Sequence, residues 1–207
     1  MSSEQISTKQ SSTSSISRRW RVVDIVVASI IAVASGVIFW GWDFVSAAPL
    51  DIFGALTPGF EGILNGMWLF AGPLAAIIVR KPGAALYAEV IAAVIETLLG
   101  NPWGIMGSLI VGIVQGLFTE LAFAVVLWKV YNLGTTLLAG ACAGLGCGLF
   151  YWFTNPAWSV MRALVYTGTS IVSGVILAGI VVWIIYKALA ATGVLERFAA
   201  GRAAALV

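Results

Sequence analysis

The sequence contains no histidine, only two cysteines, and few charges: Asp, Glu, Lys and Arg make up 10% of its 207 residues, against about a quarter in an ordinary soluble domain. Each shortage excludes something. Without histidine the chain lacks the commonest acid–base group and the commonest metal ligand. Cys142 and Cys147 lie five residues apart in one apolar run, so a helix would point them to different faces. A disulfide or metal site is therefore not expected, and the two read as buried packing thiols. No cofactor is expected either. No G-x-x-x-x-G-K-[ST] loop is present, so energy from ATP would have to come from another chain. No nucleophile stands beside a credible base, which argues against an enzyme. The lysines and arginines sit at the ends of apolar segments without the dense patch that nucleic acid requires.

What the sequence has in excess is apolar character: 60% hydrophobic residues and a mean hydropathy of +1.01. This is the composition of an all-α integral membrane protein. A spanning helix needs about 20 mainly apolar residues, and six segments qualify: 22–46, 60–79, 83–99, 104–128, 134–153 and 163–190. The breaks between them, such as "AAPLDIFGALTPG", "RKPG", "GNPWG" and "TNPAWSVMR", carry the Pro, Gly and Asn residues that end helices and make turns. Residues 1–17 are rich in Ser and Thr and read as a disordered cytoplasmic tail, with a second short tail at 191–207. The first apolar run is long enough to span, so a cleavable signal peptide is not expected.

Cytoplasmic loops carry the excess of Lys and Arg. Placing both termini inside puts Arg18, Arg19, Arg21, Arg80, Lys81, Lys129, Lys187, Arg197 and Arg202 on the cytoplasmic side, and leaves Arg162 alone outside, with Asp43 and Asp51. That bias fixes the expected orientation.

Ionisable residues inside a bilayer are costly and tend to face a protein interior or a water-filled cavity. Glu61, Glu89, Glu96 and Glu120 are the candidates, with Asn65 and Gln115 as neutral partners. No lysine or arginine lies deep in a span to pair with them. Glu61, Asn65, Trp68 and Gly72 recur at helical spacing on the second span. Glu89 and Glu96 are seven residues apart on the third, so they share a face, with Glu89 about 10 Å deeper. Two readings stand for each acid: a structural group bonded between helices or reaching interfacial water, and a group lining a pocket. Of the nine tryptophans, Trp40, Trp42, Trp103, Trp152 and Trp158 map to the outer end. They form either a headgroup belt or, in part, a mouth where indoles beside carboxylates suit a flat cationic heterocycle. Small residues repeat every fourth position at Ala28, Ala32 and Gly36, at Gly140, Gly144 and Gly148, and at Ser170, Gly174 and Ala178. Such stripes let helices approach closely. The second reads as internal packing, and the first could face a separate subunit.

Three stretches, "WRVVDIVVASIIAVASGVIFWGWDF", "RKPGAALYAEVIAAVIETLLGNPWG" and "GIVQGLFTELAFAV", resemble the YkoE-like family. Its members are S components, the substrate-binding membrane subunits of energy-coupling-factor (ECF) vitamin transporters. The resemblance runs over roughly residues 18–185. It implies an S-component-like bundle of six transmembrane helices in a prokaryotic cell membrane, binding thiamine or its hydroxymethylpyrimidine precursor from outside. It also implies a transmembrane coupling (T) subunit and a cytoplasmic ATPase pair as partners, the first-helix face at Ala28, Ala32 and Gly36 meeting the coupling subunit. Thiamine offers an aminopyrimidine edge and a thiazolium cation. Depth and helical face then select Glu96 and Asn65 for hydrogen bonds or charge, Trp68 for stacking and Gln115 as a further polar contact. Glu89, Trp40 and Trp103 stand in support, and the loop from Ala47 to Gly59 is the expected lid. The rival from another class is a stand-alone proton-coupled secondary transporter, with Glu89 or Glu120 as carrier.

Overall fold

In hydrocarbon every backbone polar group must be satisfied within the chain, which leaves helices as the economical solution for apolar runs of this length. The computed structural model describes residues 18–195, and among these no strand is formed. The expected tail 1–17, and the expected tail 191–207 from residue 196 onward with Arg197 and Arg202, lie outside the described residues. The elements are α1 (Val22–Leu56), a 3-10 segment (Phe60–Trp68), α2 (Ala71–Val79), α3 (Ala84–Leu99), α4 (Ile105–Val125), α5 (Leu133–Thr154) and α6 (Val160–Ser173). A π-helical segment (Gly174–Val181) then carries the last rod into α7 (Val182–Ala191). Five stretches are long and apolar enough to cross a membrane: Val22–Leu56, Phe60–Val79, Ile105–Val125, Leu133–Thr154 and Val160–Ala191. The sixth helix, α3, has 16 residues and packs between α1 and α4. Large apolar side chains such as Val26, Ile30, Leu121 and Phe153 face outward, as a lipid-facing surface requires.

This short helix is enclosed for a steric reason. Its inner face is Ala84, Ala85, Ala88, Ala92 and Ala93, and its neighbours meet it with glycine. A Cβ on Gly36 of α1 would stand 2.6 Å from the Ala92 carbonyl oxygen, and one on Gly116 of α4 would stand 2.7 Å from Leu86 Cα. These approaches put Glu89 and Glu96 at the centre of the bundle. Gly144 and Gly148 of α5 are equally tight against Ser170 and Thr167 of α6, which is the internal packing expected of that stripe.

Five sequence expectations are corrected. The first break does not occur after residue 46: α1 runs through Pro49 to Leu56 over 35 residues. At 1.5 Å per residue it is about 50 Å long, against about 30 Å of hydrocarbon. Pro49 therefore falls beyond the apolar core, where water can take the carbonyl that proline leaves unbonded. The expected lid loop shrinks to the residues between Leu56 and Phe60, and a helical extension takes its place. The second span is not one α-helix, because its first half is the 3-10 segment. That half lies flat on α6, fastened by Asn65 Nδ2 donating to Ser170 Oγ (2.7 Å) and Gly66 N–H donating to Ser173 Oγ (2.9 Å). The last span opens three residues early, at Val160, after an N-cap in which Ser159 Oγ accepts the Arg162 N–H. Finally, the stripe at Ala28, Ala32 and Gly36 is not a free face. Ala28 and Ala32 are 0% exposed, Ala28 packed with Val79 and Ala84 and Ala32 with Ala71, Ala75, Ala88 and Ala92.

Candidate functional site

At the α1 extension the helices part around a cavity of about 550 Å³, within the range that small-molecule sites occupy. Position 43 lies near the point where α1 leaves the hydrocarbon, and the next turns present Ala47, Leu50, Asp51 and Gly54 to the cavity at helical spacing. The extension is thus a rigid roof, built by carrying one helical face past the membrane.

Asp43 organises the first wall. It is 3% exposed, and its Oδ1 accepts two indole N–H groups, from Trp103 (2.8 Å) and Trp68 (3.1 Å). Those rings meet edge to face at 6.1 Å, and Trp42 packs on Trp68 at 6.2 Å. Trp42 is itself fixed by donating to the Leu64 carbonyl. The result is an aromatic wall held by one carboxylate. Glu96, carried by α3, lines the same cavity as Asp43. Glu89, one turn and more below, accepts the Gly72 N–H at 2.7 Å through Oε1.

Each of these three acids keeps an oxygen without a partner: Asp43 Oδ2, Glu96 Oε1 and Glu89 Oε2 are buried and unbonded. A buried acceptor left unpaired costs free energy. The three acids line one cavity, an acidic enclosure suited to donors and above all to a cationic donor.

The opposite wall comes from α5, α6 and the turn between them. Tyr151 meets Tyr166 at 5.4 Å and Trp158 meets it at 5.0 Å, while the Arg162 guanidinium lies 4.5 Å over the Trp158 ring. Arg162 donates to Glu61 Oε1 at 2.7 Å, and Glu61 Oε2 accepts the Gly59 N–H at 2.6 Å. Gly59 holds φ = 102° there, a conformation that favours glycine. Asn65 is largely committed, since its amide donates to Ser170 and accepts from the Tyr166 hydroxyl at 3.3 Å.

Six of the seven residues selected from the sequence line this cavity: Asn65, Trp68, Glu89, Glu96, Trp103 and Gln115. Trp40 is not among its lining residues. Its indole donates to the Gly100 carbonyl at 3.2 Å and its ring packs on Phe44. Glu120 stands apart as well, accepting the Ala85 N–H (2.7 Å) and the Trp128 indole N–H (3.0 Å), a structural tie between helices. Sequence reasoning missed Asp43, which it placed outside, and Arg162, which it placed in a loop. Both had a signal: Asp43, Ala47, Leu50, Asp51 and Gly54 share one face if the helix is continued, and Ser159 is a good N-cap three residues before Arg162.

Known proteins bear on this geometry. Residues 23–146 match the family described as the ABC-type cobalt transport system, permease component. The chain is 35% identical over 187 residues to a Bacillus subtilis (strain 168) protein named as HMP/thiamine permease protein YkoE, covering 89% of this chain and 92% of that one. It also superimposes on a solved chain described as the crystal structure of an S-component of ECF transporter, with a TM-score of 0.81 and 34% identity, over 89% of this chain and 92% of that chain.

Proposed function

This chain belongs to the YkoE-like S components of ECF transporters, and from that premise we propose that it captures thiamine or hydroxymethylpyrimidine at the outer face of a prokaryotic cell membrane. The observation that carries the reading is the convergence of Asp43, Glu96 and Glu89, each with an unpartnered buried oxygen, on one indole-walled cavity. A thiazolium cation gains from both features: carboxylates compensate its charge, and aromatic faces attract it. The aminopyrimidine edge offers N–H donors to carboxyl oxygens and an acceptor to the amide of Gln115, which also faces the cavity. The donor set, carboxyls and indoles in a chain with no histidine, suits an organic cation better than a transition metal.

Uptake in this reading is completed by partners. The chain contains no ATP-binding loop, so a coupling subunit and an ATPase pair on the cytoplasmic side supply the energy, and the chain itself performs no catalysis. The lysine and arginine distribution sets the orientation, with the cavity outside and both tails within.

Calorimetric titration of the detergent-purified full chain against thiamine, hydroxymethylpyrimidine, riboflavin, biotin and cobalamin tests the proposal. Saturable binding of thiamine or its pyrimidine is the expected result, and failure of both to bind overturns it. Glu96→Gln is expected to weaken thiamine binding by about tenfold or more, the loss of one charge-assisted contact. The same change at Glu61, whose carboxylate is already paired with Arg162, is expected to alter thiamine affinity far less. Equal losses at the two positions would remove Glu96 from the ligand.

A further inference from the structure

Among the described residues that line the cavity, Arg162 is the one cationic side chain, facing Asp43, Asp51, Glu61, Glu89 and Glu96. Its position is built rather than incidental. The guanidinium is stacked on Trp158 at 4.5 Å, one terminal nitrogen is bonded to Glu61 at 2.7 Å, and Nε is buried without a partner. Glu61 is equally fixed: its side chain is 7% exposed and its second oxygen is held by the Gly59 main chain.

Arginine binds phosphate best through two parallel N–H groups, the fork of donors matching two oxygens. Here a carboxylate already occupies one arm, and a phosphate approaching the rest of the fork would be driven against Glu61, in a cavity that Asp51 also lines. A neutral hydroxyl oxygen meets neither obstacle. It can accept from an N–H that Glu61 leaves free on the part-exposed guanidinium and carries no charge for the acids to repel. Thiamine ends in a primary alcohol on its thiazolium side, and its monophosphate differs from it at that group alone.

We propose that Glu61 is a specificity-determining residue which, by occupying Arg162, closes this cavity to phosphate monoesters and selects the free alcohol. The inference rests on the proposed capture of thiamine or its pyrimidine. It implies that phosphorylated forms outside the cell must meet a phosphoester-hydrolysing reaction before this chain can take them.

The test is titration of the full chain, wild type and Glu61→Gln, with thiamine and with thiamine monophosphate. Wild type is expected to prefer thiamine by about tenfold or more, since like-charge juxtaposition is costly. Glu61→Gln is expected to move the ratio of the two affinities at least about tenfold towards the monophosphate, because it frees the guanidinium and removes one negative charge together. Asp51→Asn, which removes a charge without releasing Arg162, is expected to move it less, and Glu61→Gln combined with Arg162→Gln is expected to lose the gain. Equal wild-type affinities for the two ligands overturn the proposal without need of any variant. So does an unchanged ratio in a Glu61→Gln protein that still binds thiamine. Absence of thiamine binding to wild type fails the functional reading itself, and this inference with it.

Discussion

Asp43→Ala is expected to weaken thiamine binding by about a hundredfold or more, the largest loss of any single change in the cavity. Two separate effects combine there. Oδ1 accepts the indole N–H groups of both Trp68 and Trp103, so its removal leaves two part-buried donors unpaired, at about 1–3 kcal/mol each where water cannot reach them. The rings are then free to turn, and the edge-to-face contact at 6.1 Å loses the atom that holds it. The second effect is charge: a carboxylate beside Glu96 disappears, and a cationic ligand loses a partner worth about 1.5–3 kcal/mol. Every 1.4 kcal/mol is a factor of about ten, so either effect alone reaches about tenfold or more and the two together about a hundredfold or more. Asp43→Asn separates them. The amide oxygen can still accept the indoles, but the charge is gone, so its loss is expected to fall between those of wild type and alanine. Calorimetry on the purified chain reads both. Binding of thiamine by Asp43→Ala within about threefold of wild type would reduce Asp43 to a packing group and refute the account of the wall.

The prominence of Asp43 also shows where the sequence was readable and where it was not. Apolar runs bounded by Pro, Gly and Asn identified six membrane helices because the bilayer imposes length and hydropathy together, and neither depends on tertiary contacts. Depth along a helix follows from counting, which is why Glu89, Glu96, Gln115 and Trp103 were found on the cavity without a structure. Failure came where a local rule met a special place. Pro49 and Gly54 look like the end of a helix, yet at the membrane surface water relieves the cost of an interior proline. With the helix cut at residue 46, Asp43 stands at its outer end beside a loop, and the roof reads as that loop. Asn65 and Trp68 do line the cavity, though the stripe that pointed to them rests on the wrong period. The stripe assumed an α-helical period, whereas the segment is 3-10. It is held against α6 by Ser170 and Ser173, contacts more than a hundred residues away in sequence that no local pattern reveals. Arg162 was lost by three residues at a helix start, the least certain kind of boundary.

Ala32→Leu is expected to lower the thermal midpoint of the isolated protein and to weaken ligand binding with it, although Ala32 does not line the cavity. Spacing every four residues cannot say whether a small-residue face awaits a partner or already has one. The structure supplies the answer: Ala32 is 0% exposed and packs on Ala71, Ala75, Ala88 and Ala92, small residues that leave no space for a longer side chain. Overpacking costs about 1–3 kcal/mol, and at about 2–4 °C per kcal/mol for a chain of this size the midpoint should fall by roughly 2–12 °C. Gly36→Leu should do worse, because a Cβ there stands 2.6 Å from the Ala92 carbonyl oxygen and 2.7 Å from Ile95 Cβ, and backbone cannot swing aside as a side chain can. Both changes wedge α1 from α3, the helices that carry Asp43 and Glu96 to the cavity, so its lining is displaced and binding falls. Ala34 is the control. It lies on the exposed face of the same helix, and Ala34→Leu should leave both midpoint and binding unchanged in the isolated chain. Differential scanning of the three variants with and without thiamine distinguishes the cases. An Ala32→Leu protein as stable as wild type, binding normally but failing in uptake, would mean that this face opens to a coupling subunit, and that the α1–α3 contact yields during transport.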